Sequence, residues 1–298
     1  MLSFALVSLR QRFGPGLLIA AIVAAAGCTN TPTTVLERLS EARRLAANLL
    51  VQFTKASDAA NRAVMADTDD TSVAFAREAG QATEAVQMDA DALAPMLQAL
   101  GFSDETRLLE EFRSQFAEYR ALDQSILELA VENTNLKAQR LSFGPAQQEA
   151  DAVRDSLEAV APLAPANASR VEALVATAVA AVRDIQVQQG PHIAESDEAA
   201  MTRMESRMDA SAADARSALK LLASLAGPGS QPKVTAATAA LDRFTALSAQ
   251  IVALSRRNTN VRSLALSLGQ KRMLTAACEG SLLALHDALA KRGFTATR

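Results

Sequence analysis

A stretch of 29 residues occurs twice in this chain, and this repeat constrains the fold more than any other feature. The first copy spans residues 116–144 and the second spans residues 241–269, and the two align without a gap at an offset of 125. Ten of the 29 aligned positions are identical, and each copy carries an Asn-Thr-Asn triplet and a Leu-Ser-x-Gly sequence. Agreement of this kind at one offset indicates an internal duplication, so the fold contains two similar units.

The composition favours helices over strands. Only 4% of the 298 residues are aromatic, Trp is absent, and hydrophobic residues, with abundant Ala and Leu, make up 49%. Ala and Leu are strong helix formers, whereas strands are enriched in β-branched and aromatic residues. No segment shows the alternation of a strand bounded by turn signals. We therefore predict an all-α protein, an elongated antiparallel helical bundle made of two duplicated modules.

Turn-forming residues mark the expected helix ends. Glycine terminates helices and proline kinks or ends them. The predicted interruptions are Asp67–Asp70, Gly101 followed by a cap at Ser103, Gly144-Pro145, Gly190-Pro191 and Gly227–Ser230. The last helix is expected to run unbroken to about Lys291. The segment Pro162–Pro165 is predicted to separate helical module 1, residues 35–161, from helical module 2, residues 162–298.

The third predicted helix carries the most regular apolar pattern. One row with a spacing of seven consists of Phe112, Tyr119 and Ile126, and the predicted companion row consists of Leu122, Leu129, Leu136 and Phe143. Rows of this spacing are typical of a buried seam between packed helices. The first Asn of each triplet continues a seam, because Asn133 follows Ile126 and Asn258 follows Ile251 at the same spacing.

Two interpretations of these asparagines stay open. A buried polar seam residue lowers stability but fixes helix register, so Asn258→Leu would then raise thermal stability. Such side chains should pair with each other or with backbone groups. Alternatively, the triplets and nearby basic residues line a polar pocket in the bundle core, although exposed ion pairs are the more common role of such basic residues. The candidate ligand-binding residues are then Asn133, Asn135, Arg140, Asn258, Asn260 and Arg262.

The first 27 residues differ from the rest of the chain. Arg10 and Arg12 precede an apolar run, residues 14–26, that is short for a membrane span. We expect residues 1–27 to be a signal peptide, because small residues follow the apolar run. The sequence before Cys28 resembles the lipobox of bacterial lipoproteins, which implies that Cys28 is lipidated and that residues 28–34 form a tether. The alternative is an uncleaved N-terminal anchor. Either way, we expect the body to face the periplasm, anchored in the bacterial cell envelope.

Charge and histidine content argue against several function classes. The formal net charge of −3 is not the basic charge that nucleic-acid-binding domains carry. The two histidines, His192 and His286, lack metal-ligand spacing to another His or Cys. The chain also lacks a glycine-rich phosphate loop and a Gly-x-Ser-x-Gly sequence. We therefore expect no enzyme activity, no metal and no cofactor. Cys278 lies on an apolar helical stripe and is predicted to be a buried structural thiol.

The paired helical units behind an export signal resemble the four-helix-bundle sensory modules of bacterial chemoreceptors of the methyl-accepting type. The triplets and the Leu-Ser-x-Gly sequences are the closest part. Separately, Leu268–Leu274, LGQKRML, resembles the Ala-Gly-x-x-Arg-Met-Leu motif in N-terminal modules of type IV pili chemotaxis transducers and in nitrate sensor kinases. In the nitrate sensors this Arg binds the anion at a dimer interface, so the resemblance implies that Arg272 is an anion ligand. The first copy departs from the motif, with Gly144-Pro145 and no Arg-Met.

These features lead to one preferred function and one alternative. We expect a lipid-anchored sensory module that binds a small anionic or amino-acid-like ligand and signals through a membrane protein. The alternative is a structural or scaffolding envelope lipoprotein with no small-molecule ligand. A homodimer is expected for such bundles on general grounds. A pocket near the triplets with converging arginines would favour the first function, and asparagines satisfied by their neighbours would favour the second.

Overall fold

The structure, a computed structural model, describes residues 35–160, 167–225 and 227–295. Within these ranges the chain is helical and has no strand, so the predicted all-α bundle is confirmed. The helices are α1 (Val35–Val64), α2 (Asp69–Leu100), α3 (Ser103–Glu132), α4 (Thr134–Leu141), α5 (Gln147–Glu158), α6 (Ala168–Ala194), α7 (Glu198–Leu225), α8 (Gln231–Arg257), α9 (Thr259–Leu266) and α10 (Arg272–Thr295). In this part of the chain, none of the helices is apolar over a length that could cross a bilayer.

Local capping explains the first helix ends. The Thr68 hydroxyl accepts a hydrogen bond from the Thr71 N–H at 3.2 Å and starts α2 within the predicted turn. Gly101 ends α2 with a φ of 68°, as predicted, in the left-handed region that glycine adopts without strain. α3 begins at Ser103, but no side chain caps it, because its N-cap residue is Phe102.

The helices form two four-helix bundles, and each bundle takes one helix from the other half of the sequence. In the first bundle, α10 packs against α1 and α3, which also contact α2. In the second bundle, α5 packs against α8 and α6, which also contact α7. The apolar cores follow the same division: the first joins Phe53 and Phe112 to Leu285, and the second joins Leu157 to Phe244.

Because of this exchange, the helices that pack together in one bundle are not the helices of one sequence repeat. Apolar residues continue on both sides of each Asn-Thr-Asn triplet, so each long helical run buries one end in each core. The bundles therefore do not coincide with residues 35–161 and 162–298. The proposed boundary Pro162–Pro165 lies outside the described residues, as do the predicted signal peptide 1–27, Cys28 and the tether 28–34.

The predicted companion row on α3 was wrong. Phe112, Tyr119 and Ile126 are fully buried, but Phe143 is 71% exposed. The buried companion row instead consists of Leu109, Phe116, Asp123 and Ala130. An aspartate and an alanine in this row gave it a weak apolar signal, whereas the neighbouring leucines gave a stronger one on a face that is only partly covered.

Both expected Gly-Pro interruptions lie inside helical segments. Gly144-Pro145 lies in a π turn, Ser142–Ala146, that links α4 to α5 without ending the helical run. A π turn has a wider backbone ring, which relieves the clash that a proline ring makes with the preceding turn. Gly190-Pro191 lies within α6, which continues to Ala194. A second π turn, Ser267–Lys271, links α9 to α10 at the repeat-related position.

Candidate functional site

The helical runs break at the first Asn of each triplet. Asn133 separates α3 from α4 with a φ of 51°, and Asn258 separates α8 from α9 with a φ of 54°. Asparagine tolerates the left-handed region better than most residues. The prediction that the two asparagines continue an unbroken helical seam was therefore wrong, and each break exposes the N–H groups of a new helix start.

The two triplets satisfy these N–H groups reciprocally. The Thr134 N–H donates to the Thr259 hydroxyl at 3.1 Å, and the Thr259 N–H donates to the Thr134 hydroxyl at 3.2 Å. The Asn135 and Asn260 N–H groups each donate to the side-chain oxygen of the other residue at 3.1 Å. Each copy of the repeat thus caps a helix of the other copy, with the approximate two-fold symmetry of the duplication.

The asparagine side chains complete the junction. Asn135 Nδ2 donates to Asn258 Oδ1, and Asn260 Nδ2 donates to Asn133 Oδ1, both at 2.8 Å. Asn258 Nδ2 donates to the Glu195 carbonyl at 2.6 Å, whereas the buried Asn133 Nδ2 has no hydrogen-bond partner among the described residues. The expected pairing with a backbone group is confirmed for Asn258, whereas Asn133 pairs with the Asn260 side chain and not with Asn258 or a backbone group. We call this set of contacts the triplet junction.

The basic residues predicted to converge on the triplets do not do so. Arg140 is exposed, with Nη1 3.3 Å from Asp69 Oδ2 at the start of α2. Arg262 is exposed on α9. Arg272 is exposed and lies at the start of α10, where it lines a cleft against α1. The structure therefore brings the four asparagines together and leaves the three arginines apart from them.

The cleft beside Arg272 has a volume of about 490 Å³ and lies between α1 and the α9–α10 segment. Volumes of roughly 300–1,000 Å³ are typical of small-molecule sites. We call it the α1–α10 cleft. Its polar lining consists of Ser57, Asn61, Ser267, Lys271, Arg272, Thr275 and Glu279. Apolar side chains, including Val64, Met65, Leu264 and Leu268, complete the walls.

Lys271, at the end of the second π turn, is 1% exposed, although it lines this cleft. Its Nζ lies 2.7 Å from Asp123 Oδ1 and 5.7 Å from the centroid of the Tyr119 ring. Asp123 is 4% exposed, so the ion pair is buried in the first bundle. Beyond this contact, Nζ has no acceptor among the described residues, so at least two of the three N–H donors of the Lys271 ammonium are unused.

Burial is the main influence on the pKa values of the acidic groups at this pair. Burial raises the pKa of Asp123, and the Lys271 ammonium opposes that shift. Burial and the Asp123 carboxylate together raise the pKa of the Tyr119 hydroxyl. A buried ion pair without further hydrogen bonds recovers little of the cost of leaving water. A buried polar group with unused hydrogen-bonding capacity in a native fold has a specific cause, such as an ordered water, a bound ion or a functional role.

The second bundle provides an internal comparison. Ala146 lies where the repeat places Lys271, and Ser248 lies where it places Asp123. There, the Ser142 hydroxyl donates to Gln189 Oε1 at 2.6 Å, and Gln189 Nε2 donates to the Ser248 hydroxyl at 2.9 Å. The two bundles therefore share the π turn but differ in the chemistry beside it, which is neutral and hydrogen-bonded in one and charged in the other.

His192, which was expected to follow a turn, is fully buried in α6. The Ser255 hydroxyl donates to the His192 carbonyl at 2.7 Å and lies 2.8 Å from Nδ1, while Nε2 lies 2.8 Å from Glu205 Oε1. Arg256 also donates to both oxygens of Glu205, and this hydrogen bonding lowers the pKa of the carboxyl group. These contacts tie α6, α7 and α8 together and hold the last turn of α6 beyond Pro191.

Cys278 is a free, fully buried thiol, as predicted. Burial raises its pKa to about 12, so it is a poor nucleophile. Among the described residues, no group of His, Cys, Asp and Glu is arranged to hold a metal ion.

Sequence reasoning did not single out Lys271 or Asp123 as site residues. The sequence carries one signal for them, because each is a charged residue whose repeat-related position holds a small neutral residue. Asp123 aligns with Ser248, and Lys271 aligns with Ala146. No protein family, curated protein or solved structure matches this chain. The geometry of the described residues therefore carries the functional argument.

Proposed function

We propose that this chain is the ligand-binding module of an extracytoplasmic sensory system. A small anionic ligand binds in the α1–α10 cleft, and the resulting helix shift passes to a membrane protein. The observation that carries the proposal is Lys271, a buried cation that lines the cleft and has unused hydrogen-bond donors. Arg272 at the same cleft adds a second positive charge, in the motif that resembles that of the anion sensors.

The divergence of the two repeats supports a site in the first bundle. If the π turns had only a structural role, neutral contacts like those of Ser142, Gln189 and Ser248 in the second bundle would be sufficient in both bundles. A buried ion pair is instead a costly solution to packing, because similar apolar side chains often stabilise a core as well or better. Its presence at the wall of one cleft is consistent with ligand binding there.

The topology supplies a route for the signal. Lys271 and Arg272 lie on a helical run that begins with α8 in the second bundle and ends with α10 in the first. The triplet junction joins this run to the run of α3, α4 and α5. A displacement of α10 against α1 is therefore transmitted to both bundles. Anchoring of the module through lipidated Cys28, facing the periplasm, is part of the same proposal.

Calorimetric titration and thermal shift test this proposal on the full chain in mild detergent. The probes are acetate, propionate, succinate, nitrate and glycine. At 100 times Kd, a one-site ligand stabilises the fold by about 2.7 kcal/mol, which gives a clear rise in Tm. Lys271→Met and Arg272→Ala should abolish or strongly weaken the response.

Matched controls are available on exposed helix faces. Lys220→Met in α7 and Arg140→Ala in α4 remove the same charges at exposed positions outside the cleft lining. Both variants should keep the binding of the unmodified chain. An absence of any response to all probes by well-folded protein would overturn the ligand-binding proposal.

A structural role in the cell envelope is the second candidate, and the triplet junction favours it. The asparagines at the junction are occupied by one another and by backbone carbonyls, an arrangement that holds two bundles in register without a ligand. Under this alternative, the full chain binds none of the probes, and variants of the junction impair envelope integrity while Arg272→Ala, at an exposed position, does not.

A further inference from the structure

The Asp123–Lys271 pair connects two openings in the first bundle. Lys271 lines the α1–α10 cleft. Asp123 lines a second groove, of about 720 Å³, between α2 and α3, which we call the α2–α3 groove. The two side chains meet at 2.7 Å in the core between these openings. A change in the partner of Lys271 on one side therefore changes the charge balance of Asp123 on the other.

The resident partner of Lys271 also indicates the ligand class. The ammonium already holds one carboxylate at 2.7 Å, and its other N–H donors have no acceptor among the described residues. A ligand carboxylate is chemically equivalent to the Asp123 side chain and can approach Lys271 from the α1–α10 cleft, which Lys271 lines. Charge-assisted hydrogen bonds between an ammonium and a carboxylate are roughly twice as strong as neutral ones. Additional hydrogen bonds from the unused donors of Lys271 are thus the driving force for exchange.

The walls of the cleft restrict the rest of the ligand. Val64, Met65 and Leu268 offer apolar surface, which suits a short hydrocarbon tail. Glu279 lies in the same lining and opposes a second negative charge. These features favour a small monocarboxylate over a dicarboxylate or an inorganic anion.

We propose that a small monocarboxylate replaces Asp123 on Lys271, and that Asp123 takes up one proton from solvent as it loses this partner. This inference rests on the proposed anion site in the α1–α10 cleft. It makes ligand binding a proton-coupled exchange of one carboxylate for another. The free module keeps Asp123 ionised against Lys271, and the liganded module holds Asp123 neutral in the core.

The surroundings of Asp123 favour the neutral form once Lys271 has left. The second π turn contributes Lys271, α10 contributes the neutral thiol of Cys278, and α1 contributes Ser57 beside Tyr119. α2 presents Glu84 to the same groove, and α3 itself presents Tyr119, Arg120 and Glu128. Arg120 is exposed, and its Nη1 donates a hydrogen bond to Gln87. Because burial is the largest influence on Asp123 and raises its pKa, loss of Lys271 leaves the carboxyl group to bind a proton.

Titration of the full chain with propionate, in two buffers of different ionisation enthalpy, tests this inference. The expected result is the uptake of about one proton per propionate bound. In the pH range where Asp123 is ionised in the free module, the affinity for propionate should therefore fall by about tenfold per unit rise in pH. Succinate and nitrate should bind more weakly than propionate.

Two variants sharpen the test. Asp123→Asn removes the internal competitor, so propionate should bind about tenfold more tightly or better, because the unpaired Lys271 gains its only partner. Glu172→Gln, at an exposed position of α6 in the second bundle, should leave the affinity for propionate unchanged. Circular dichroism confirms that each variant is folded.

The outcomes separate the two proposals. Propionate binding without proton uptake, or with equal or weaker affinity in Asp123→Asn, would overturn the carboxylate exchange and leave the anion site standing. Binding of nitrate but of no carboxylate would have the same meaning. If no probe binds at all, both the exchange and the proposed function are overturned.

Discussion

Thr134 and Thr259, which are related by the duplication, cap each other. The backbone N–H of each residue donates to the hydroxyl of the other, at 3.1 and 3.2 Å, and the two hydroxyl oxygens lie 3.2 Å apart. Both residues are 1% exposed, so no solvent replaces these contacts. The junction between the two bundles therefore depends on a matched pair of helix starts, each of which is incomplete without the other.

Thr259→Val should destabilise the protein. The substitution keeps the shape but leaves the buried Thr134 N–H without an acceptor, at a cost of about 1–3 kcal/mol. Thr134→Val should cost a similar amount, and the double variant should cost less than the sum, because the hydroxyl contact is shared. Urea unfolding measures these effects. The exposed Thr177→Val, which loses only a bond within its own helix, is the control and should change stability by less than about 0.5 kcal/mol.

Asn258→Leu should also destabilise the protein, contrary to the expectation from the seam pattern. A leucine at a φ of 54° carries left-handed backbone strain of about 1–2 kcal/mol. The change also removes the acceptor of Asn135 and the donor to Glu195. Asn258→Gly should cost less than Asn258→Leu, because glycine adopts this φ without strain. A higher Tm for Asn258→Leu would show that the junction does not depend on this residue.

The fold could be predicted in part because its signals are local. Gly101 ends a helix through its own backbone freedom, and Cys278 is buried because its helical stripe is apolar. The exchange of α5 and α10 between bundles could not be predicted, because a seam pattern identifies a buried face but not the helix that covers it. The interruption at Gly144-Pro145 could be predicted, but its form as a π turn could not, since a π turn depends on the surroundings of the proline rather than on the residue.

The same distinction applies to the candidate site. The motif that includes Arg272 lies at the end of α10 that lines the α1–α10 cleft, but the buried charge is the preceding residue, Lys271. Its partner Asp123 is 148 residues away in sequence, and only the exchanged packing of α10 against α3 brings the two together. Sequence periodicity carries no information about such a distant contact.

Cleavage of the chain between its halves should not separate them. Each bundle needs a helix from the other half, so two fragments produced by a protease site inserted between residues 161 and 166 should remain associated. Gel filtration after cleavage should give a single species containing both fragments, and unfolding should retain one cooperative transition. Fragments that separate under native conditions, each with full helicity, would contradict the exchanged packing.

The effect of Lys271→Met on stability should depend on whether Asp123 is still present. Alone, it leaves Asp123 buried without a counter-charge and should destabilise the fold by about 3–5 kcal/mol unless the carboxyl group is protonated. Combined with Asp123→Leu, which replaces the pair with apolar side chains, stability should return to that of the unmodified chain or exceed it. Urea unfolding of the single and double variants measures this. Recovery of stability without recovery of ligand binding would show that the pair is kept for function.

The contacts of Glu205 predict how stability depends on acid. The hydrogen bonds from Arg256, followed by that from His192, lower the pKa of Glu205 from its ordinary value of 4.5. A carboxyl group with a lowered folded-state pKa contributes stability that is fully present above its ordinary value and is lost as the pH falls through the folded-state value. Glu205→Gln should therefore lower the urea midpoint at neutral pH and flatten the loss of stability below about pH 4.5. Since Glu205 is partly exposed, the effect should be about 1 kcal/mol or less. Glu172→Gln, at an exposed position of α6, is the control and should leave the acid dependence of the urea midpoint unchanged.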